Sequence, residues 1–418
     1  MMCRMATSAA STQSRSAQPW LVVALAVFAI AWGGNQFTPL MVLYRQEGEL
    51  DLVFVDLLLF VYAVGIVPAL LLSGPLSDGI GRKPVMLAGP LFSVLGSVLI
   101  AVGETTAPVL AVGRLLSGIA VGIGMAVGGS WVKELSTPRF DAAAKSTSGA
   151  KRQSMALTAG FGVGAFIAAI LAQFAPLPGQ LAYILHIVVT IPTVLLLLAV
   201  PETRQSPTTG GVPSLVQALR TPSVKHPRFL LIPALTAPWV FGCAAVAYAI
   251  IPSLVQQEVS QPIFISGVLT GVALICGFTI QQFGPRISSD TSARGSVVAL
   301  VLVFIGMGMA ALMSRDPHLA TAIPCSMVLG MGYGLVMYTG LNEVQRIAGP
   351  RDLAGLSGIF YGLSYIGFAF PAMLTELAKH WEWMTYPVML TFGMVVAVGM
   401  LVIVSKYSRA YLPQGGTD

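Results

Sequence analysis

The chain has 418 residues, of which 55% are hydrophobic and only 10% charged, with a mean hydropathy of +0.80 and a formal net charge of +6. Soluble domains carry about 25% charged residues, which excludes a water-soluble enzyme, a disordered chain and a disulfide-stapled secreted domain. A membrane helix needs roughly 20 mostly apolar residues, so twelve of them would use about 240, close to the apolar content here; continuous apolar runs also disfavour an outer-membrane barrel.

Residues 1–19 are rich in Ser, Thr and Ala, contain Arg4 and Arg15 and lack acids. They are expected to form a disordered cytoplasmic tail. Apolar runs then predict helices over 20–43, 53–73, 85–103, 107–131, 154–175, 181–200, 229–255, 263–282, 296–313, 318–341, 353–375 and 384–405. The expected fold is an all-α membrane protein of twelve transmembrane helices. A Pro-rich linker over 201–228 separates a six-helix bundle over 20–200 from a second over 229–405, and a short tail over 406–418 follows. An even number of spans puts both termini on one side. With the N-terminus cytoplasmic, all but four of the 23 Lys and Arg residues fall inside, the exceptions being Arg45, Arg315, Lys379 and the intrahelical Arg114. The positive-inside rule therefore predicts both termini in the cytoplasm, in a plasma or bacterial inner membrane. The same asymmetry explains the net charge without a nucleic-acid partner. Cys3, Cys243, Cys276 and Cys325 have no Cys or His at ligand spacing, so neither a disulfide framework nor a metal site is expected.

Between spans 2 and 3 the sequence runs from Gly74 through Asp78 and Gly81 to Arg82 and Lys83. Between spans 8 and 9, Gly277, Gln281, Gly284 and Arg286 repeat the spacing of glycine, polar residue, glycine and base. Matching topology and spacing indicate a duplicated six-helix unit. Span 4 holds Arg114 with Gly118 and Gly122 after it, and Glu134 follows the span. A charge within an apolar run is costly and seldom idle. Asp56, early in span 2, is the one acid near the same depth, so Asp56 and Arg114 are a candidate proton-coupling pair. In span 5, Gly160 and Gly164 are spaced for close helix packing.

The segment from Gly74 to Lys83 resembles the loop signature of the major facilitator superfamily, and the twelve helices and two halves extend that resemblance over almost the whole chain. Gly79 departs from it, standing where the family usually has a base. The resemblance implies that Asp78 faces the start of helix 11 near Gly355 and Gly358, and that Gly74, Asp78, Gly81, Arg82, Lys83 and Glu134 form a conformational latch. Arg114 with Gly118 resembles a motif of proton-driven facilitators, and the Gly160–Gly164 segment a weakened antiporter signature. Gly113–Arg114, Glu134 and Pro201–Glu202–Thr203–Arg204 resemble pieces of the sugar-porter branch, whose paired glutamines in helix 7 are not matched. Helices 1, 4, 7, 10 and 11 would then place Asn35, Gln36, Trp239, Tyr248, Tyr333, Tyr338, Asn342, Tyr361 and Tyr365 at a mostly apolar cavity. Together these readings imply a monomeric transporter, not an enzyme, working by alternating access: proton-coupled efflux of lipophilic or cationic small molecules, or alternatively uptake of a sugar or other small metabolite. No nucleotide-binding loop is present, and a proton gradient is the expected energy source, without a cofactor.

Overall fold

The computed structural model describes residues 18–145, 148–204, 221–349 and 353–412. Among these, twelve helices are long and apolar enough to cross a membrane: α1 Pro19–Glu47, α2 Leu52–Ile80, α3 Arg82–Val102, α4 Ala107–Leu135, α5 Ser148–Phe174, α6 Leu181–Leu198, α7 Pro227–Val255, α8 Pro262–Ile287, α9 Arg294–Met313, α10 Leu319–Ile347, α11 Gly355–His380 and α12 Tyr386–Lys406. The expected N-terminal tail, apart from residues 18 and 19, lies outside the described residues, as do 205–220 of the expected linker and 413–418 of the expected C-terminal tail. The start of α1 and the end of α12 share one face, the terminal face; the other is the distal face.

Local chemistry sets several helix starts. Asp51 caps α2 by accepting hydrogen bonds from the N–H groups of Val53 (2.9 Å) and Phe54 (3.3 Å). Pro108, Pro227, Pro262 and Pro387 lie in first turns, where a missing N–H goes unnoticed. On the terminal face the helices outrun their apolar stretches. The stretch from Gly74 to Lys83, expected between helices, is helical except at Gly81, whose φ of 104° lies in the region that favours glycine. Hydropathy marks the hydrocarbon layer, whereas a helix keeps its backbone bonds into the headgroups.

Among the close helix seams of the described residues, four come in two equivalent pairs. A Cβ on Gly118 or Gly122 of α4 would strike the carbonyl oxygens of Tyr62 and Ile66 on α2. One on Gly330 or Gly334 of α10 would strike Ala273 and Gly277 of α8 in the same way. Gly160 and Gly164 of α5 abut the carbonyls of Phe28 and Trp32 on α1, and Gly367 of α11 abuts Gly242 and Pro238 of α7. Each seam therefore needs a residue without a side chain. One hydrophobic core is built mainly from α1–α6 and another from α7–α12.

Among the described residues, four helices lose regular geometry within their spans. The first is interrupted at Gln36, α4 and α7 contain π turns over Gly124–Gly128 and Val246–Ile250, and α11 tightens to a 3₁₀ turn over Ile366–Ala369. Such departures leave backbone groups and side chains pointing where a continuous α-helix could not aim them.

Candidate functional site

The irregular turns surround one cavity. Asn35, Met125, Tyr248 and Phe368, one at or beside each irregular turn, all line a space of about 210 Å³ between the two halves. Its centre is aromatic. Phe241 stacks on Tyr365 with centroids 4.2 Å apart, and lies 4.6 Å from Phe368 and 6.0 Å from Tyr333. Each such pair contributes about 0.5–1.5 kcal/mol beyond its buried area. Polar lining comes from Asn35, Ser154, Thr158, Gln281 and tyrosine side chains, and no charged side chain lines the space among the described residues. Ser154 lies in the terminal-side quarter of α5 and Gln281 in that of α8, so the cavity extends toward the terminal face.

Of the residues expected here, Asn35, Tyr248, Tyr333, Tyr361 and Tyr365 line this cavity. Gln36, Trp239, Tyr338 and Asn342 do not, and helix geometry explains each case. One residue beyond Asn35, Gln36 is turned by about 100° and donates to Ser97 Oγ at 3.2 Å inside the first half. Trp239 is two residues from Phe241, on the opposite side of α7, where it packs edge-on against Phe370 and donates to Met400 Sδ. Tyr338 packs over Gly284 of α8, while Met337, four residues from Tyr333 and so on its face, lines the cavity. Asn342 lies beside Ser288 and Glu343 near the terminal face. Tyr62, Phe161, Phe241, Phe278 and Phe368 were missed; in sequence a cavity Phe looks like any lipid-facing Phe, although Phe241 and Phe368 each adjoin a seam glycine.

Asp56 and Arg114 are not brought together as an ion pair. Arg114 is buried, donates from Nε to the Leu58 carbonyl (3.3 Å) and from Nη1 to the Gly34 carbonyl (3.2 Å), and lies between the rings of Phe37 and Tyr62 at 4.4 and 4.3 Å from their centroids. A desolvated cation–π contact of this kind is worth about 2 kcal/mol or more, so carbonyls and rings stand in for the carboxylate that the sequence suggested. Asp56 instead pairs with Arg45 at the distal end of α1 and accepts from Thr375 Oγ1 of α11 at 2.6 Å. The second contact joins the two halves. Lys379 of α11 adds an exposed bridge to Asp51 at 2.8 Å. Gln173 Oε1 of α5 accepts from the N–H groups of Ile263 and Phe264 at the start of α8. The distal face is thus sealed between the halves.

At the terminal face a charge cluster lies within the first half. Arg82 bonds Asp78 at 2.9 Å, Glu134 at 2.8 Å and Ser77 Oγ at 2.6 Å. Thr203 donates to the second oxygen of Glu134. Glu202 accepts from the N–H groups of Arg82 (3.0 Å) and Lys83 (2.9 Å), opposite Gly81, so it caps the N-terminus of α3. Burial works to raise the Glu202 pKa, but its backbone N–H donors prevail and hold it below the usual carboxylate range. Lys83 Nζ donates to the Leu198 carbonyl at 3.0 Å. Asp78 and Gly74 border a separate space of about 310 Å³ that Gly355 and Gly358 of α11 also line. In the second half Glu343, at the end of α10, has a comparable role: it pairs with Arg228 (2.7 Å) and Arg346 (2.9 Å).

Comparison with known proteins decides the family. The family model described as Major Facilitator Superfamily matches residues 21–372. The chain belongs to the major facilitator superfamily. As a member, it is a multi-pass membrane transporter rather than an enzyme. Solved facilitator folds superpose along nearly the full length: the nucleoside transporter NupG with TM-score 0.74 at 12% identity over 93% of this chain and 100% of that one, and the POT family transporter PepTSo with TM-score 0.74 at 12% identity over 95% and 99%. At such identity the likeness is one of fold. In sequence the chain is 36% identical over 80 residues to the multidrug resistance protein MdtL of Escherichia coli O81 (strain ED1a), and equally to that of Escherichia coli (strain UTI89 / UPEC). That match spans 19% of this facilitator and 19% of each relative.

Proposed function

We propose that this facilitator exports lipophilic aromatic compounds in exchange for protons, by alternating access and as a monomer, with both termini in the cytoplasm. The observation that carries the reading is the aromatic, uncharged cavity on the seam between the halves, extending toward the terminal face while the distal face is sealed. An apolar pocket with scattered hydrogen-bonding groups selects lipophilic ligands. The excess of Lys and Arg on the terminal side supports a cytoplasmic assignment for it, so the conformation is inward-facing. The partial match to MdtL supports efflux.

Proton coupling falls to Asp56, with Arg45 rather than Arg114 as its partner. An ionised Asp56 holds Arg45 and Thr375 together across the halves; protonation from outside removes the charge, weakens the pairing with Arg45 and loosens the distal seal. On the cytoplasmic face the cluster of Asp78, Arg82, Lys83 and Glu134, turned around Gly74 and Gly81, acts as the latch that engages α11 near Gly355 and Gly358 when the protein faces outward.

Proteoliposomes test both parts. A fluorescent lipophilic aromatic compound should move against its gradient when an inward proton gradient is imposed, and collapse of the gradient by an ionophore should stop it. Counterflow with sugars but not with aromatic compounds would replace efflux by the uptake reading.

A further inference from the structure

The electrostatics of the cavity narrow its ligands beyond hydrophobicity. No carboxylate lines the space among the described residues. Asp56 is held by Arg45 and Thr375 at the distal end, and Asp78 and Glu134 are both paired with Arg82 at the terminal end. Arg114, by contrast, is buried with no carboxylate within ion-pair reach among the described residues. Its guanidinium rests against the ring of Tyr62, and that ring lines the cavity. A buried charge is little screened by salt, and its field extends through the ring into the space beyond.

Some of the aromatic groups that might hold a cation are also already engaged. Tyr62 already has a guanidinium over its ring, and Phe241 is stacked against Tyr365 with Phe368 close by. Thr158 and Gln281 add uncharged hydrogen-bonding side chains to the lining.

From this we infer that the site takes uncharged and anionic aromatic compounds and rejects lipophilic cations. The inference rests on the reading of this cavity as the substrate site. It also parts with the sequence-based expectation that cations would be carried.

The test uses the full chain in nanodiscs and three ligands on one scaffold: naphthamide, naphthoate and naphthyl trimethylammonium. Binding is followed by quenching of intrinsic fluorescence and by isothermal titration. The amide and the carboxylate should bind at least about tenfold more tightly than the ammonium compound, as a second cation at close range in a poorly screened site requires. Gln281→Glu, which adds a carboxylate to the lining at nearly constant volume, should narrow or reverse that preference. Arg114→Gln should do the same, and the Gln281 variant remains informative if the Arg114 variant does not fold. Equal or tighter binding of the ammonium compound by the unaltered protein overturns the inference while leaving the transport reading standing. Binding of none of the three overturns the cavity assignment and the inference with it.

Discussion

Asp56 of α2 and Thr375 of α11 share a hydrogen bond of 2.6 Å between residues 319 apart in sequence, one from each half of the molecule. Arg45 completes the arrangement from α1. The hydroxyl binds a carboxylate better than a neutral amide. Asp56→Asn should therefore leave the protein folded and abolish proton-driven transport, while exchange down a substrate gradient persists. Measuring both in the same proteoliposomes checks this, and unchanged pH-driven efflux would remove Asp56 from the mechanism. Thr375→Val should raise the labelling rate of cysteines introduced along the distal seam.

The aromatic centre gives a contrast between two neighbouring residues. Phe241→Ala removes the ring stacked on Tyr365 and should weaken binding of an aromatic ligand about tenfold, equivalent to one or two lost ring contacts. Trp239→Ala, on the other side of α7, should lower the unfolding temperature through lost packing against Phe370 and leave the dissociation constant within about twofold. Equal losses of affinity in both variants would displace the cavity from this position.

The seams predict sharply different tolerances for glycine replacement. Gly118→Val drives methyl groups into the backbone of α2 and should destabilise by about 3 kcal/mol or more, read as loss of monodisperse protein in detergent. Gly162, also in the first half, has nothing within 4 Å of a built Cβ. Gly162→Ala should instead stabilise by about 0.5–1 kcal/mol, because alanine loses less freedom on entering a helix.

Glu202 supplies a pH dependence of known sign. Its pKa is lower in the folded protein than in the unfolded chain, so its contribution is fully present above about pH 4.3 and disappears as pH falls through the lower folded value. Glu202→Gln should lower the unfolding temperature at pH 7, with no change in the deficit down to pH 5 and a shrinking deficit below pH 4. Thermal unfolding in detergent across that range measures it. A deficit that grows on acidification would contradict the capping geometry.

The sequence was most informative where one residue type has one physical meaning in a membrane. Long apolar runs gave the helices, and the spacing of Gly118 with Gly122 and of Gly160 with Gly164 marked close packing, whereas their partner helices α2 and α1 emerge only in the structure. Arg114 stands out in the sequence as a charge within an apolar run, but its partners are backbone carbonyls and rings, and carbonyls leave no mark in a sequence. The cavity was half legible. Tyrosines at membrane depth point to it, yet their rotation about a helix depends on the break at Gln36 and the turns in α4, α7 and α11, which composition does not reveal. Glu202 was noticed as part of a motif; its role depends on the backbone angle at Gly81 and on the N–H groups of two residues about 120 positions away.

The π turn over Gly124–Gly128 links two sites that share no atom. It stands between Arg114 and Glu134 on α4, and Met125 within it borders the aromatic space. Such a turn accommodates one residue more than an α-helix would over the same rise. Tightening the turn to α geometry with every residue kept would rotate everything downstream by about 100° and swing Glu134 away from Arg82, whereas deleting one residue there would leave the downstream phase unchanged. Helical phase, set by the width of this one turn, is therefore a mechanical coordinate shared by the lining of the aromatic space at Met125 and the ionic cluster at the terminal face.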